Sequence, residues 1–195
     1  MELELPDGQF EGYVFDCDGT IADTMPIHYE AWRAALEPHG VPFPEALFYE
    51  LGGTKTTRIV EILAERHGVA IPVEETVARK EDTFVTQLHR VAPIEPVVEL
   101  VHRFRGQAPM AVASGGIRPL VTRTLAQLEL LECFDAIVTA EDVRHGKPNP
   151  EPFLLAAQRL NVPPERCLAF EDGKVGIEAA RAAGMTCVVV PTPGR

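Results

Sequence analysis

The sequence predicts an α/β fold: a doubly wound parallel sheet, interrupted after its first strand by an inserted helical cap. Three observations carry this. Between residues 93 and 195, short apolar runs alternate with helical stretches, the pattern of strands buried on both faces. One further apolar run, Tyr13-Val14-Phe15, stands far upstream of them. Between the two, residues 25–92 read as all-helical. The core is therefore expected over 1–24 and 93–195, and the cap over 25–92.

Each element follows from local chemistry. Tyr13-Val14-Phe15 reads as a buried strand ending at Asp16, and Asp18-Gly19 supplies a turn. Asp23 or Thr24 can cap a helix with Pro26 in its first turn. That helix carries Ile27, Ala31, Trp32 and Leu36, and Gly40 and Pro42 end it. Helices are expected next over 44–51, from Thr54 or Thr56 to His67, and over 73–88. Beyond Pro93 the expected order is strand 110–113, helix 120–131, strand 136–138, helix 152–160, strand 167–170, helix 176–183 and strand 187–190.

Composition narrows the function. Eighteen basic against 29 acidic residues give a net charge of −11, unsuited to a nucleic-acid backbone. A small anion remains possible, since one local cation can dominate a pocket. Cys17, Cys133, Cys167 and Cys187 are scattered without a CxxC pair, so neither a structural zinc site nor a disulfide framework is expected. The Pro- and Gly-broken acidic start does not resemble a signal peptide, and no apolar run approaches ~20 residues. The expectation is a soluble cytoplasmic protein without nucleic-acid or membrane partners. Nothing in the sequence marks an oligomer interface.

In an open α/β sheet, ligands bind beyond the carboxyl ends of the strands. There this sequence places Asp16, Asp18, Gly19 and Thr20, then Ser114, Gly115 and Gly116, then a loop with Lys147, then Glu171, Asp172 and Gly173. Four acids, a lysine, a serine and several glycines suit a Mg²⁺ site beside a phosphate site. Hard cations take carboxylate oxygens, and glycine turns let backbone N–H groups approach phosphate.

These stretches resemble, in order, the four motifs of the haloacid dehalogenase superfamily of phosphotransferases. They are Asp16-Cys17-Asp18-Gly19-Thr20, then Ser114 in Val112-Ala113-Ser114-Gly115-Gly116, then Lys147 in Gly146-Lys147-Pro148-Asn149-Pro150, then Glu171-Asp172-Gly173-Lys174-Val175-Gly176. The resemblance implies that Asp16 is a nucleophile forming an aspartyl-phosphate. Asp18 then serves as general acid and base, its pKa raised by neighbouring negative charge. Mg²⁺ is implied on Asp16, the Asp18 main-chain carbonyl, Glu171 and Asp172. Lys147 offsets the repulsion between carboxylate and phosphate, and Ser114 and the Gly115 backbone, with Gly116 beside them, hold the phosphoryl oxygens.

The spacing Asp23-Thr24-x-x-x-His28-x-x-Ala31-Trp32 is similar to the β-phosphoglucomutase-like subgroup, where the matching His contacts the counterpart of Asp18. In the expected substrate loop, Leu51 to Arg58, Gly52-Gly53 permits close approach, and Lys55 or Arg58 could meet a sugar-phosphate anion. Thr56 stands where the mutases carry a phosphate-gripping Arg, and their cap Lys has no clear counterpart near 82–88. Thr54, Arg58, Pro109 to Val112 and Phe153-Leu154-Leu155 instead resemble bacterial fructose-1-phosphate phosphatases. The expected activity is Mg²⁺-dependent hydrolysis of a small sugar phosphate, with β-phosphoglucomutase as the alternative. From other classes stand a non-catalytic Mg²⁺- and phosphate-binding regulatory domain and a receiver-type phosphoacceptor. The pairing of Asp16 with Asp18 speaks against the first, and the long helical insertion against the second.

Overall fold

The computed structural model describes residues 3–52 and 54–191; Gly53 of the expected substrate loop lies outside them. Strand β1 (Gly12–Phe15) is followed by a short β2 (Ala22–Asp23) and four helices, α1 (Met25–Leu36), α2 (Glu45–Glu50), α3 (Thr56–His67) and α4 (Val73–Gln87). Then come β3 (Ala92–Pro93), α5 (Glu95–Phe104), β4 (Met110–Ala113), α6 (Arg118–Gln127) and β5 (Ala136–Val138). The chain continues through α7 (Glu151–Leu160), β6 (Cys167–Glu171), α8 (Lys174–Ala182) and β7 (Thr186–Val189).

Five strands form one parallel sheet in the order β5-β4-β1-β6-β7. The chain builds outward from β1 on one side and then on the other. The carboxyl end of β1 therefore lies where the order reverses, the place such sheets open a crevice. Phe15 pairs with both Val112 and Phe170, which brings Asp16, Glu171 and the end of β4 to one edge.

Side chains alternate between the two faces. Phe15, Met110, Val112, Leu168 and Phe170 meet α5 and α6 on one side. Val14, Ala111, Ala113 and Ala169 meet α7 and α8 on the other, where Ala156, Ala157, Ala179 and Ala180 allow close approach. Phe15 and Phe170 stack at 4.5 Å and are fully buried. Truncating such a ring to Ala costs about 3–5 kcal/mol.

Two helices differ from expectation, and the short strands β2 and β3 were not expected. Helix α5 was not anticipated, although Val97, Val98, Leu100, Val101 and Phe104 recur at helical spacing and are buried. Pro93 marks the change of pattern, and Pro96 sits in the first helical turn, where no N–H partner is needed. Helix α6 stops at Gln127 instead of running to 131, because Glu129 turns left-handed (φ 59°) and the Leu130 N–H closes back on Leu125 O.

Helices α1 to α4 form the cap. Its core gathers Trp32, Leu36, Phe43, Phe48, Val60 and Leu63. At its base Ile27, Ala31, Phe84 and Leu88 pack with Leu120 of α6, seating the cap on the core. Strands β2 and β3 pair antiparallel, tying together the outgoing and returning chain.

Candidate active site

Asp16 continues β1 and is buried; its N–H donates to Phe170 O at 2.9 Å. Lys147 reaches it from the loop before α7. The Lys147 Nζ donates to Asp16 Oδ1 and Glu171 Oε1, each at 2.6 Å, in a setting almost closed to solvent. Burial pulls the lysine down, but the two carboxylates outweigh it and hold it above its ordinary value.

Asp16, Glu171 and Asp172 offer oxygens that all lie within 4.8 Å of one another. The chain makes room for them. A Cβ at residue 176 would stand 1.6 Å from Glu171 Oε1, and one at residue 19 would stand 2.5 Å from Asp172 Oδ2. Gly19 also takes φ +91°, a conformation that favours glycine. The Gly173 N–H and the Thr20 hydroxyl donate to Glu171 Oε2 (2.7 Å) and Asp172 Oδ1 (3.0 Å). Burial, opposed by Lys147 and aided by Asp16, pushes Glu171 up to about 7. Burial, with Asp16 adding, pushes Asp172 up to about 6. Three crowded carboxylates against one lysine form an all-oxygen, charge-deficient set that fits a hard divalent cation.

The Asp18 side chain is not part of that cluster. It turns toward the cap, and its Oδ1 accepts the Thr24 hydroxyl at 2.7 Å and a bond from His28 Nε2 at 3.2 Å. The His28 ring stacks on Phe84 with centroids 4.0 Å apart. Its Nδ1 is buried with no hydrogen-bond partner among the described residues, so the proton belongs on Nε2. Burial and Lys80 lower the His28 pKa, and the Asp18 carboxylate opposes them. The expectation of a raised Asp18 pKa is corrected: burial raises it, but His28, Thr24 and Lys80 outweigh burial and hold Asp18 at about 2. The free site therefore carries Asp18 ionised.

These groups open on a cavity of about 350 Å³ between core and cap. Ser114, Gly115 and Gly116 form one wall, and the Gly116 N–H donates to Ser114 Oγ at 3.0 Å. His28, Thr54 and Thr56 line the cap side. Arg58 does not reach the cavity. It lies on the exposed surface of α3, paired with Glu61 and Glu65 at 2.9 and 3.2 Å, so the expected substrate contact is corrected. Two neighbouring acids on its own helix capture it. Lys55 is likewise turned away, its Nζ 3.5 Å from Arg144 O on the Lys147 loop. Cys17 is fully buried, and burial pushes its thiol well up, consistent with a packing role.

The family model for haloacid dehalogenase-like hydrolases matches residues 10–184. The chain belongs to this family. Among curated relatives, fructose-1-phosphate phosphatase YqaB of Escherichia coli (strain K12) is 39% identical over 183 residues, covering 93% of this chain and 97% of that protein. The phosphorylated carbohydrates phosphatase of Thermotoga maritima is 34% identical over 179 residues, 90% of this chain and 82% of the relative. Among solved structures, CbbY from Rhodobacter sphaeroides in complex with phosphate superposes with a TM-score of 0.83 at 29% identity, covering 96% of this chain and 90% of that one. This haloacid dehalogenase-like hydrolase is a phosphatase. No helix among its described residues is long and apolar enough to cross a membrane.

Two residues of the site were read without their partners, and a third escaped the sequence reading. Thr20 and Thr24 sit beside recognised acids, and their hydroxyls bond Asp172 and Asp18. Thr24 precedes α1 yet makes no side-chain cap there, because its hydroxyl is committed to Asp18. Lys80 of α4 is buried in the cavity wall, its Nζ 5.9 Å from the Trp32 ring centre and 5.6 Å from that of Phe84. A buried lysine thus faces the cavity from position 80, outside the 82–88 stretch where a cap lysine was sought. Its pairing at i, i+4 with Phe84 was a readable signal.

Proposed function

We propose that this phosphatase hydrolyses a small sugar phosphate of the fructose 1-phosphate type, with Mg²⁺, through an aspartyl-phosphate on Asp16. One observation carries the reading. Asp16 ends the central strand beside Lys147 at 2.6 Å, with Glu171 and Asp172 oxygens within 4.8 Å, and faces the Ser114-Gly115-Gly116 wall. The name of the YqaB relative supports the sugar.

Asp16 attacks phosphorus, and the leaving alkoxide takes a proton from Asp18. Asp18 is ionised in the free site, so it must gain that proton as the phosphate dianion enters and raises its proton affinity. In the second step Asp18, again a carboxylate, deprotonates the water that opens the aspartyl-phosphate. Ser114 and the backbone N–H groups of Gly115 and Gly116 hold the phosphoryl oxygens, and Lys147 opposes the charge built on Asp16. Thr24 and His28 fix the orientation of Asp18, and Thr54 lies where it can meet the sugar. Asp16, Glu171, Asp172 and the Asp18 carbonyl would hold Mg²⁺. When bound, the ion offsets the repulsion between nucleophile and phosphate. Four free cysteines, three of them buried, fit a reducing cytoplasm.

Lys80 favours a second reading, phosphoryl transfer of the β-phosphoglucomutase kind, since it gives the cap a cation. Thr56, which lines the cavity where the mutases carry a phosphate-gripping Arg, opposes it. Purified protein with Mg²⁺ is given fructose 1-phosphate, or β-glucose 1-phosphate with a bisphosphate primer. Phosphate release from the first without glucose 6-phosphate from the second is expected, and Asp16→Asn abolishes it. Glucose 6-phosphate with little free phosphate would establish the mutase.

A further inference from the structure

The cap side of the cavity carries a charge pattern that the catalytic groups do not explain. Lys80, Glu81 and Phe84 of α4 all line the cavity, as positions i, i+1 and i+4 on one helical face can. Among the described residues lining it, Lys80 is the sole cation from the cap, and Glu81 stands next to it. The other cap cations near the substrate loop are engaged elsewhere, Arg58 with Glu61 and Glu65 and Lys55 with the Arg144 carbonyl. The core carries a further acid, Glu141, outside the cavity lining. Glu141 is fixed beside the start of α6, its two oxygens accepting the Arg118 N–H at 3.0 and 3.1 Å. Burial raises the Glu81 carboxyl above its ordinary value; Lys80 opposes this, and Asp82 and Glu141 add to it. Glu81 thus feels Glu141 across the seam between cap and core.

From this arrangement we infer that Glu81 is a specificity-determining residue that restricts the site to sugars bearing a single phosphate. The inference rests on the sugar-phosphate reading above. A substrate whose phosphate sits against Ser114 directs its other end toward the cap. There Glu81 offsets the charge of Lys80, so a second phosphate meets no net positive field. A neutral polyol end suffers no such repulsion, and its hydroxyls can donate to the carboxylate. Rejection by a misplaced like charge is the repulsive element that specificity requires.

The test compares fructose 1-phosphate with fructose 1,6-bisphosphate on the full-length protein with Mg²⁺, following phosphate release. The parent protein is expected to favour the monophosphate in kcat/KM by about 100-fold, the cost of an unpaired like-charge contact. In Glu81→Gln that ratio falls about tenfold, mainly through a lower KM for the bisphosphate, and rising salt narrows the parent ratio. Glu141→Gln narrows it less, since Glu141 is the more exposed of the two. Equal use of both sugars by the parent, or a ratio unchanged in Glu81→Gln, overturns the inference while leaving the phosphatase reading intact. Failure to hydrolyse any sugar monophosphate overturns both.

Discussion

The Thr24 hydroxyl donates to Asp18 Oδ1 at 2.7 Å, at the point where the chain leaves the core for the cap. A group that works on the reacting oxygen is thus steered by the first residue of the cap connection. Thr24→Val keeps the shape and removes the donor. It is expected to cost about 1–2 kcal/mol of stability for the lost hydrogen bond to a carboxylate that His28 still holds. It should lower kcat by ~10- to 100-fold through misplacement of Asp18. Thermal unfolding and steady-state kinetics check both. A kcat equal to the parent would show that His28 alone orients the acid.

Lys147 balances two buried carboxylates at 2.6 Å each. Lys147→Ala leaves them uncompensated and is expected to destabilise the metal-free protein by about 3–5 kcal/mol. Added Mg²⁺ should recover more melting temperature in the variant than in the parent, because the ion takes over part of the lysine's charge. Melting curves with Mg²⁺ and with chelator read the difference.

Gly176 has no space for a side chain, since its Cβ would stand 1.6 Å from Glu171 Oε1. Gly176→Ala must displace the Glu171 carboxylate. The expected result is a loss of about 10-fold or more in Mg²⁺ affinity, the size seen when support for a metal site is removed. Calorimetric titration with Mg²⁺ measures it, and circular dichroism confirms that the helix persists.

Asp142 lies in an ion-pair cluster away from the cavity. Its Oδ1 accepts from Arg159 at 2.8 Å, and its Oδ2 pairs with Arg118 and with the Thr139 N–H and hydroxyl. Burial raises Asp142, but Arg159, Thr139 and Arg118 outweigh it and hold it at about 2. The folded value lies below the ordinary 3.8. This stabilisation is therefore present above about pH 4 and is lost as pH falls toward 2, amounting to roughly 2 kcal/mol. Asp142→Asn should remove that part of the acid-side slope, read as the difference between urea unfolding series across this range.

Arg58 lies outside the cavity, held by Glu61 and Glu65. Arg58→Ala is expected to leave kcat/KM within about twofold, as for exposed ion pairs away from chemistry. A large rise in KM would show that the arginine swings inward on substrate binding.

The acids were legible because each follows a strand. Asp16 and Glu171 extend apolar runs, and parallel register then brings them to one edge without further information. Gly19 and Gly176 were visible as motif glycines, though only the structure gives their clearances. Helix α5 was readable in its apolar spacing, with Pro96 in a first turn that tolerates it. Lys80 was hidden. On a solvent-facing surface it is an ordinary helical lysine, and its burial depends on α4 packing against α1 beneath Trp32.

The sequence by itself determined the sheet, the inserted helices and the strand-end positions of Asp16, Ser114 and Glu171, since alternation and turn chemistry are local properties. Tertiary structure decided which way the remaining side chains point. It committed Thr24 to Asp18, turned Arg58 outward, sank Lys80 into the cavity and held Asp18 ionised in the free site. Those outcomes depend on helix phase and on how the cap seats on the core. Burial and the charges met across that seam are set by distances between residues far apart in the chain.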